Sequence, residues 1–319
     1  MNKYLVTGSA GFIGFHLCKR LLEKGHEVVG VDNINDYYDP KLKNNRLQIL
    51  ENHKNFKFWY SNIQDSFTMT HIFNENKFDA VCNLAAQAGV LYSLKDPFTY
   101  YTSNIEGFGV MLDLVKTYNI KNFVYASSSS VYGSDSIAPY SEDQPCNSPS
   151  SLYAATKKSN ELIAKSYNHV FGLNCTGLRF FTVYGPYGRP DMALFIFTKN
   201  ILNNQPININ NYGKMRRSFT YIDDVVDGTI SALDKPMGNE IINLGGDESI
   251  ELMRYIEIIE KNLGMKAQKN LVPMPIGDVE SSEADISKAK KLLNYDPKIS
   301  VEEGIERFIN WYNYYYKGK

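Results

Sequence analysis

Tyr153 and Lys157 stand four residues apart, and a run of serines, Ser127 to Ser130, ends the segment before them. At that spacing a phenol and an ammonium share one face of a helix, so the cation can favour the ionised phenol. A tyrosine with an ordinary pKa of about 10 is a poor base at neutral pH; a nearby lysine charge lowers it to where it can take a proton from an alcohol. The serine run supplies hydroxyls to hold the same oxygen. Because Tyr-x-x-x-Lys also arises by chance on surface helices, its meaning depends on the elements that position it.

Those elements begin at the N-terminus, where residues 4–7 form a short apolar strand that runs into Gly8-Ser9-Ala10-Gly11-Phe12-Ile13-Gly14, followed by apolar residues at helical spacing. Gly8 permits a tight turn, Gly11 lets backbone approach a pyrophosphate, and Gly14 allows close helix packing, with the helix N-terminus attracting the negative charge. A second strand at 27–31 ends in Asp32, about 20 residues on, where a carboxylate accepts from the adenosine ribose hydroxyls and repels the extra phosphate of NADP. This pattern predicts an NAD site.

Further strands are expected at 56–60, 80–84, 122–127 and 174–181, with helices at 100–118 and 152–171. Asn62 after the third strand either hydrogen-bonds adenine or forms a turn, and the small residues from Ala85 to Gly89 either lie against a flat cofactor or make a close-packed turn. Alternation through residue 181 predicts an α/β fold, a Rossmann-type doubly wound parallel sheet over residues 1–181. Residues 182–319 mix short strands and helices and are expected to form a smaller substrate-binding part, packed on the first without a linker.

Composition narrows the partners. With 319 residues, 43% of them hydrophobic, and a formal net charge of -1, the chain can bury a full core and has no electrostatic bias toward nucleic acid or an anionic membrane. No apolar run approaches the roughly 20 residues of a membrane helix, and no signal peptide is read at the N-terminus. Cys18, Cys82, Cys146 and Cys175 lack metal-ligand spacing, as do His16, His26, His53, His71 and His169, so no metal is expected and a reducing cytoplasm fits.

Taken in order, Gly8, Gly11, Gly14, Asp32, Ser128, Tyr153 and Lys157 resemble the extended short-chain dehydrogenase/reductase family over essentially the whole chain. More narrowly, the chain is similar to the UDP-glucuronate 4-epimerases. The stretches that carry this likeness are Asp32-Asn33 with Asp36-Tyr37-Tyr38-Asp39-Pro40, Leu84 to Val90, Ser127 to Gly133 and Ser151 to Lys158. Leu178 to Pro186, Gly188 to Ala193, Arg217 before Phe219 to Asp224, and Gly277-Asp278-Val279 extend it.

That resemblance implies a 4-epimerase of a UDP-sugar, interconverting UDP-glucuronate and UDP-galacturonate. Tyr153 would take the 4-hydroxyl proton while hydride passes from C4 to retained NAD, Ser128 would orient the oxygen, and Lys157 would lower the phenol pKa and hold the nicotinamide ribose. The 4-keto sugar would then turn over and be reduced on its other face. The cofactor contacts implied are Gly8, Gly11, Phe12, Ile13, Gly14, Asp32, Asn33, Asn62, Ile63, Leu84, Ala85 and Ala86, with Tyr153 and Lys157. Ser129, Ser130 and Thr182 would hold the sugar carboxylate by neutral hydrogen bonds that leave the ring free to rotate. Arg189, Arg217 and Asp278 would hold diphosphate and nucleotide ribose, a surface salt bridge being the alternative for each.

Ser129 and Ser130 stand where nucleotide-sugar 4,6-dehydratases carry an Asp-Glu pair, and Ser130 where decarboxylases forming UDP-xylose generally carry glutamate. The chain departs from the subfamily at Leu91, usually arginine, at Asn83, commonly histidine, at Asn62, commonly aspartate, and at Ile276, usually Gln or Arg. Leu91 and Ile276 are expected on or near the substrate side. The alternatives are the same chemistry on another nucleotide sugar or heptose, as epimerase or dehydrogenase, and an NAD-binding regulator without catalysis. A homodimer is also implied, the helices at 100–118 and 152–171 pairing into a four-helix bundle.

Overall fold

The computed structural model describes residues 1–318. Six strands, β1 (Lys3–Thr7), β2 (Glu27–Asp32), β3 (Phe56–Tyr60), β4 (Ala80–Asn83), β5 (Phe123–Ser128) and β6 (Cys175–Phe180), are joined by a seventh, Asn239–Leu244. Across the sheet the order is β3, β2, β1, β4, β5, β6 and then Asn239–Leu244, with every ladder parallel. The order reverses between β1 and β4, and the crevice outside the carboxyl ends of such strands is where these sheets take ligands.

Both faces of the sheet are covered, which is why its strands are almost continuously apolar. Side chains alternate between two cores: Tyr4, Val6, Val28, Cys82 and Val124 pack on one face, and Leu5, Val29, Val31, Val81 and Tyr125 on the other. Helix α1 (Phe12–Glu23) and the helix Ile222–Leu233 cover the first, through Phe15, Leu21, Val225 and Val226. The helices Ser66–Glu75 and Gly107–Thr117 cover the second. The helix Leu152–Phe171, which carries Tyr153 and Lys157, joins them through Ala164; Ser151 caps its Ala154 N–H at 3.1 Å, and Gly172 ends it in the left-handed conformation.

Two features differ from the sequence expectation. The helix expected over 100–118 begins as Pro97–Tyr100, passes through a π-helical turn at Tyr101–Glu106 and continues as Gly107–Thr117. The amide of Asn104 explains the π turn: it accepts from the Gln87 N–H at 2.8 Å and donates to the Gln87 carbonyl and to the Thr156 hydroxyl, both at 3.0 Å. Second, residues after 181 do more than cap the cleft, because Asn239–Leu244 extends the central sheet beside β6. The boundary at 181 therefore cuts through one shared core. Among the described residues no helix is long and apolar enough to cross a membrane, and no group of His, Cys, Asp and Glu is placed to hold a metal. All four cysteines are buried free thiols.

Candidate active site

The carboxyl ends of β1, β2, β4, β5 and β6 open into a cavity of about 400 Å³. Its cofactor end is built from the first strand-to-helix turn. Gly8 has φ +71°, and a Cβ on it would stand 2.8 Å from the Ala85 nitrogen; at Gly14 a Cβ would stand 2.0 Å from the Gly8 carbonyl. Gly11 is the N-cap of α1 and offers no side chain to its N–H groups, which leaves the helix N-terminus open toward an anion. Asp32 is fixed at the end of β2, its carboxylate accepting from the Ala10 N–H at 3.0 Å and the Ile34 N–H at 2.8 Å. A backbone cradle that any side chain would fill, an uncapped helix and a carboxylate beyond it together fit a dinucleotide.

Phe12, Ile13, Asn33, Asn62, Ile63, Leu84, Ala85 and Ala86 line the same cavity. Asn62 does form a turn, its carbonyl accepting from the Asp65 N–H, while its side chain on the cavity wall accepts from Asn33 at 2.7 Å. The Leu84 to Ala86 turn is likewise close-packed and cavity-lining at once. Thr7 holds it, accepting from the Ala85 N–H at 3.1 Å and donating to Asn83 at 2.6 Å.

At the reactive end, Ser128, Ser129, Ser130, Tyr153, Lys157, Thr182 and Arg189 line one continuous wall. Ser128 accepts from the Ser130 N–H at 3.2 Å, which folds the serine run back as a short 3₁₀ turn. Burial pushes the Tyr153 phenol above its ordinary pKa, against the hydrogen bond to Ser128 and the charge of Arg189, which pull it down. The Lys157 ammonium donates to the Ala126 carbonyl at 2.8 Å, and burial lowers its own pKa to about 8.

Behind the serines lies a buried ion pair absent from the sequence reading. Arg179 on β6 donates through Nε and Nη2 to the two Glu161 oxygens at 2.8 and 2.9 Å, and Ser127 donates to the same carboxylate at 2.7 Å. Lys158 donates to it as well, at 3.2 Å. Burial alone would raise the Glu161 pKa, yet the Arg179 bonds prevail and hold it below the usual carboxylate value. The guanidinium also lies 4.6 Å from the centre of the Tyr132 ring. One network thus joins the end of β5, β6 and the helix of Tyr153.

Arg189 is held in place by a carboxylate. It donates to both oxygens of Asp191, at 3.0 and 2.6 Å, and Tyr37 donates to Asp191 at 2.9 Å. Tyr37 and Tyr38, from the loop after β2, line the cavity together with Asn35 and Lys43. None of these four was singled out by sequence, although Tyr37 and Tyr38 sit in a motif that was. Arg217 and Asp278 do not line the cavity; they pair with each other at 2.9 Å, Arg217 donating also to the Val279 and Glu280 carbonyls. Leu91 and Ile276 are 54% and 83% exposed and do not line the cavity either.

His16 ties α1 to the loop before Arg189, its Nε2–H donating to the Pro186 carbonyl at 2.9 Å. Burial lowers its pKa from 6.5 to about 3. The unfolded chain takes up this proton near pH 6.5 and the folded chain does not, so this contribution to stability is complete above pH 6.5 and is lost as pH falls toward 3. The expected loss is about 2 kcal/mol between pH 7.5 and pH 5. Urea titrations at both pH values should show that increment in the wild type and not in His16→Gln; equal pH dependence would contradict it.

Comparisons with known proteins accord with this geometry. The model of the NAD dependent epimerase/dehydratase family matches residues 4–245. The chain is 48% identical over 312 residues to a UDP-glucuronate 4-epimerase of Thermodesulfobacterium geofontis, covering 98% of this chain and 96% of that one. It is 45% identical to UDP-glucuronate 4-epimerase 4 of Arabidopsis thaliana, covering 98% of this chain and 76% of the plant protein. The crystal structure of a UDP-glucuronic acid 4-epimerase from Bacillus cereus, in complex with UDP-glucuronic acid and NAD, superposes with a TM-score of 0.91 at 38% identity, covering 98% of this chain and 100% of that one.

Proposed function

From the premise that the chain belongs to the NAD-dependent epimerase/dehydratase family, we propose that it is an NAD-dependent UDP-sugar 4-epimerase, interconverting UDP-glucuronate and UDP-galacturonate. One observation carries this reading. A single cavity presents the dinucleotide cradle, the Tyr153, Ser128 and Lys157 set, and the neutral hydroxyls of Ser129, Ser130 and Thr182, with Asp32 at the cofactor end as the one lining carboxylate among the described residues. A wall of hydroxyls holds a carboxylate without fixing it and supplies no acid to expel water.

In this reading Gly8, Gly11, Phe12, Ile13, Gly14 and Asp32 hold NAD along the first turn, and Asn33, Asn62, Ile63 and the Leu84 to Ala86 turn enclose it. NAD would supply the hydride acceptor and donor for C4 of the sugar. Ser128 orients the 4-oxygen, and Tyr153 takes the proton from that oxygen as hydride leaves C4 and returns a proton to the same oxygen when hydride re-enters C4 on the opposite face of the turned-over sugar. Lys157 holds the nicotinamide ribose and adds positive charge near Tyr153. Arg189 holds the diphosphate, sharing its guanidinium with Asp191. Arg217 and Asp278 hold the nucleotide ribose and diphosphate from the later part of the chain, residues 182–319, which chooses the sugar.

The exposed apolar residues Phe98, Tyr101, Leu162 and Val170 support a homodimer through the Tyr101–Glu106, Gly107–Thr117 and Leu152–Phe171 helices, and four free thiols suit a cytoplasmic protein. Proton NMR of the purified protein with UDP-glucuronate and no added NAD tests the function. Growth of a galacturonate signal to a steady ratio is the expected result. Turnover of UDP-glucose, UDP-N-acetylglucosamine or a GDP-sugar in its place would keep the chemistry and overturn the substrate, and a pentose product would mean decarboxylation.

A further inference from the structure

Arg46, on the helix α2 (Pro40–Glu51), is fully buried at 0% exposure. Its partners are neutral: Nη1 donates to the Ala10 carbonyl at 2.9 Å and to the Tyr38 hydroxyl at 2.7 Å, and Nη2 donates to the Tyr187 carbonyl at 2.6 Å. Its Nε is buried without an acceptor. One helical turn earlier Lys43, also buried, donates to the backbone and side-chain oxygens of Asn35 at 2.7 and 2.6 Å. The carboxylate nearest this end of the cavity, Asp32, already accepts from two backbone N–H groups. Lys43 lines the cavity and has the carboxylates of Asp32 and Asp36 near it, whereas Arg46 sits behind the cradle turn with neutral partners only; burying a cation without a counter-charge is costly.

The placement of Arg46 is as telling as its charge. Ala10 immediately precedes Gly11, the N-cap of α1, so the guanidinium grips the turn that faces a diphosphate. Tyr187 is a non-glycine residue at φ +57°, two positions before Arg189. One side chain therefore fixes both the cofactor turn and the loop that carries the substrate-side arginine.

We propose that Arg46 is a positioning residue for the dinucleotide, its buried charge balanced by the cofactor's diphosphate and its hydrogen bonds setting the Ala10 turn and the Tyr187 loop together. This rests on the reading of the cavity as an NAD site. The test compares NAD affinity by calorimetry, and Tm with and without added NAD, in the stripped wild type, Arg46→Met and Arg46→Lys. Arg46→Met is expected to weaken NAD binding about tenfold or more and to shrink the NAD-dependent rise in Tm, while its Tm without NAD is unchanged or higher. Arg46→Lys, which keeps the charge but loses the planar fork that reaches both loops, is expected to fall between the wild type and Arg46→Met. An Arg46→Met that binds NAD within about twofold of the wild type, that fails to fold, or that loses Tm equally with and without NAD would make the residue merely structural and overturn the proposal. So would a loss in Arg46→Lys as large as that in Arg46→Met. A wild type that binds no NAD would instead overturn the proposed function.

Discussion

Tyr153→Phe is expected to lower kcat by about a thousandfold while leaving NAD and UDP-glucuronate binding close to the wild type. The substitution removes one oxygen, and positioned acid–base groups contribute roughly 10²–10⁴ in rate. The ring itself stays, packed edge-on against Tyr100 at 6.1 Å, so neither the helix nor the cavity wall has reason to move. Because burial raises the phenol pKa in this structure, its ionisation depends on the positive charges gathered around it, of which Arg189 is one. Progress curves by NMR together with NAD titrations separate chemistry from binding. Activity within about tenfold of the wild type would remove Tyr153 from the proton transfer.

Glu161→Gln is expected to destabilise the fold by about 3–5 kcal/mol, because it leaves the Arg179 guanidinium buried without its carboxylate. Arg179 is 2% exposed and cannot turn to water, and its Nη1 already lacks a partner. The same change turns one carboxylate oxygen into an NH2 donor, so Ser127, next to the proposed Ser128, must share the single remaining carbonyl oxygen with the Arg179 guanidinium. Urea unfolding measures the loss. The double variant Glu161→Gln/Arg179→Met, which removes the stranded charge, should recover a large part of it. A single variant within about 1 kcal/mol of the wild type would mean that water or rearranged carbonyls compensate the arginine.

Much of the fold was legible in the sequence because each strand of the first half is a short apolar run that ends in glycine, aspartate, asparagine or serine. The glycine turn was readable for the same reason, since close backbone approach leaves a mark that only glycine carries. The seventh strand, Asn239–Leu244, was less legible: its Asn-Glu start looks solvated, and it enters the sheet only by pairing with β6, from 64 residues away at Asn239↔Cys175. The π turn hinges on one amide, Asn104, whose partners at Gln87 and Thr156 are distant in sequence. Arg46 and Glu161 were missed because charged residues at helical spacing read as an exposed face, and only the tertiary structure shows the carbonyls and the guanidinium that meet them. Lys157 was read for its spacing from Tyr153; its bond to the Ala126 carbonyl depends on how the helix lies over β5.

The most direct test of C4 inversion with retained cofactor is the UDP-glucuronate reaction run with deuterium at C4, in ordinary water and without added NAD. Proton NMR should show UDP-galacturonate accumulating with the deuterium still at C4, because the hydrogen leaves and returns within one closed site. A C4 proton growing into the product, or epimer formation that requires added NAD at every turnover, would contradict it.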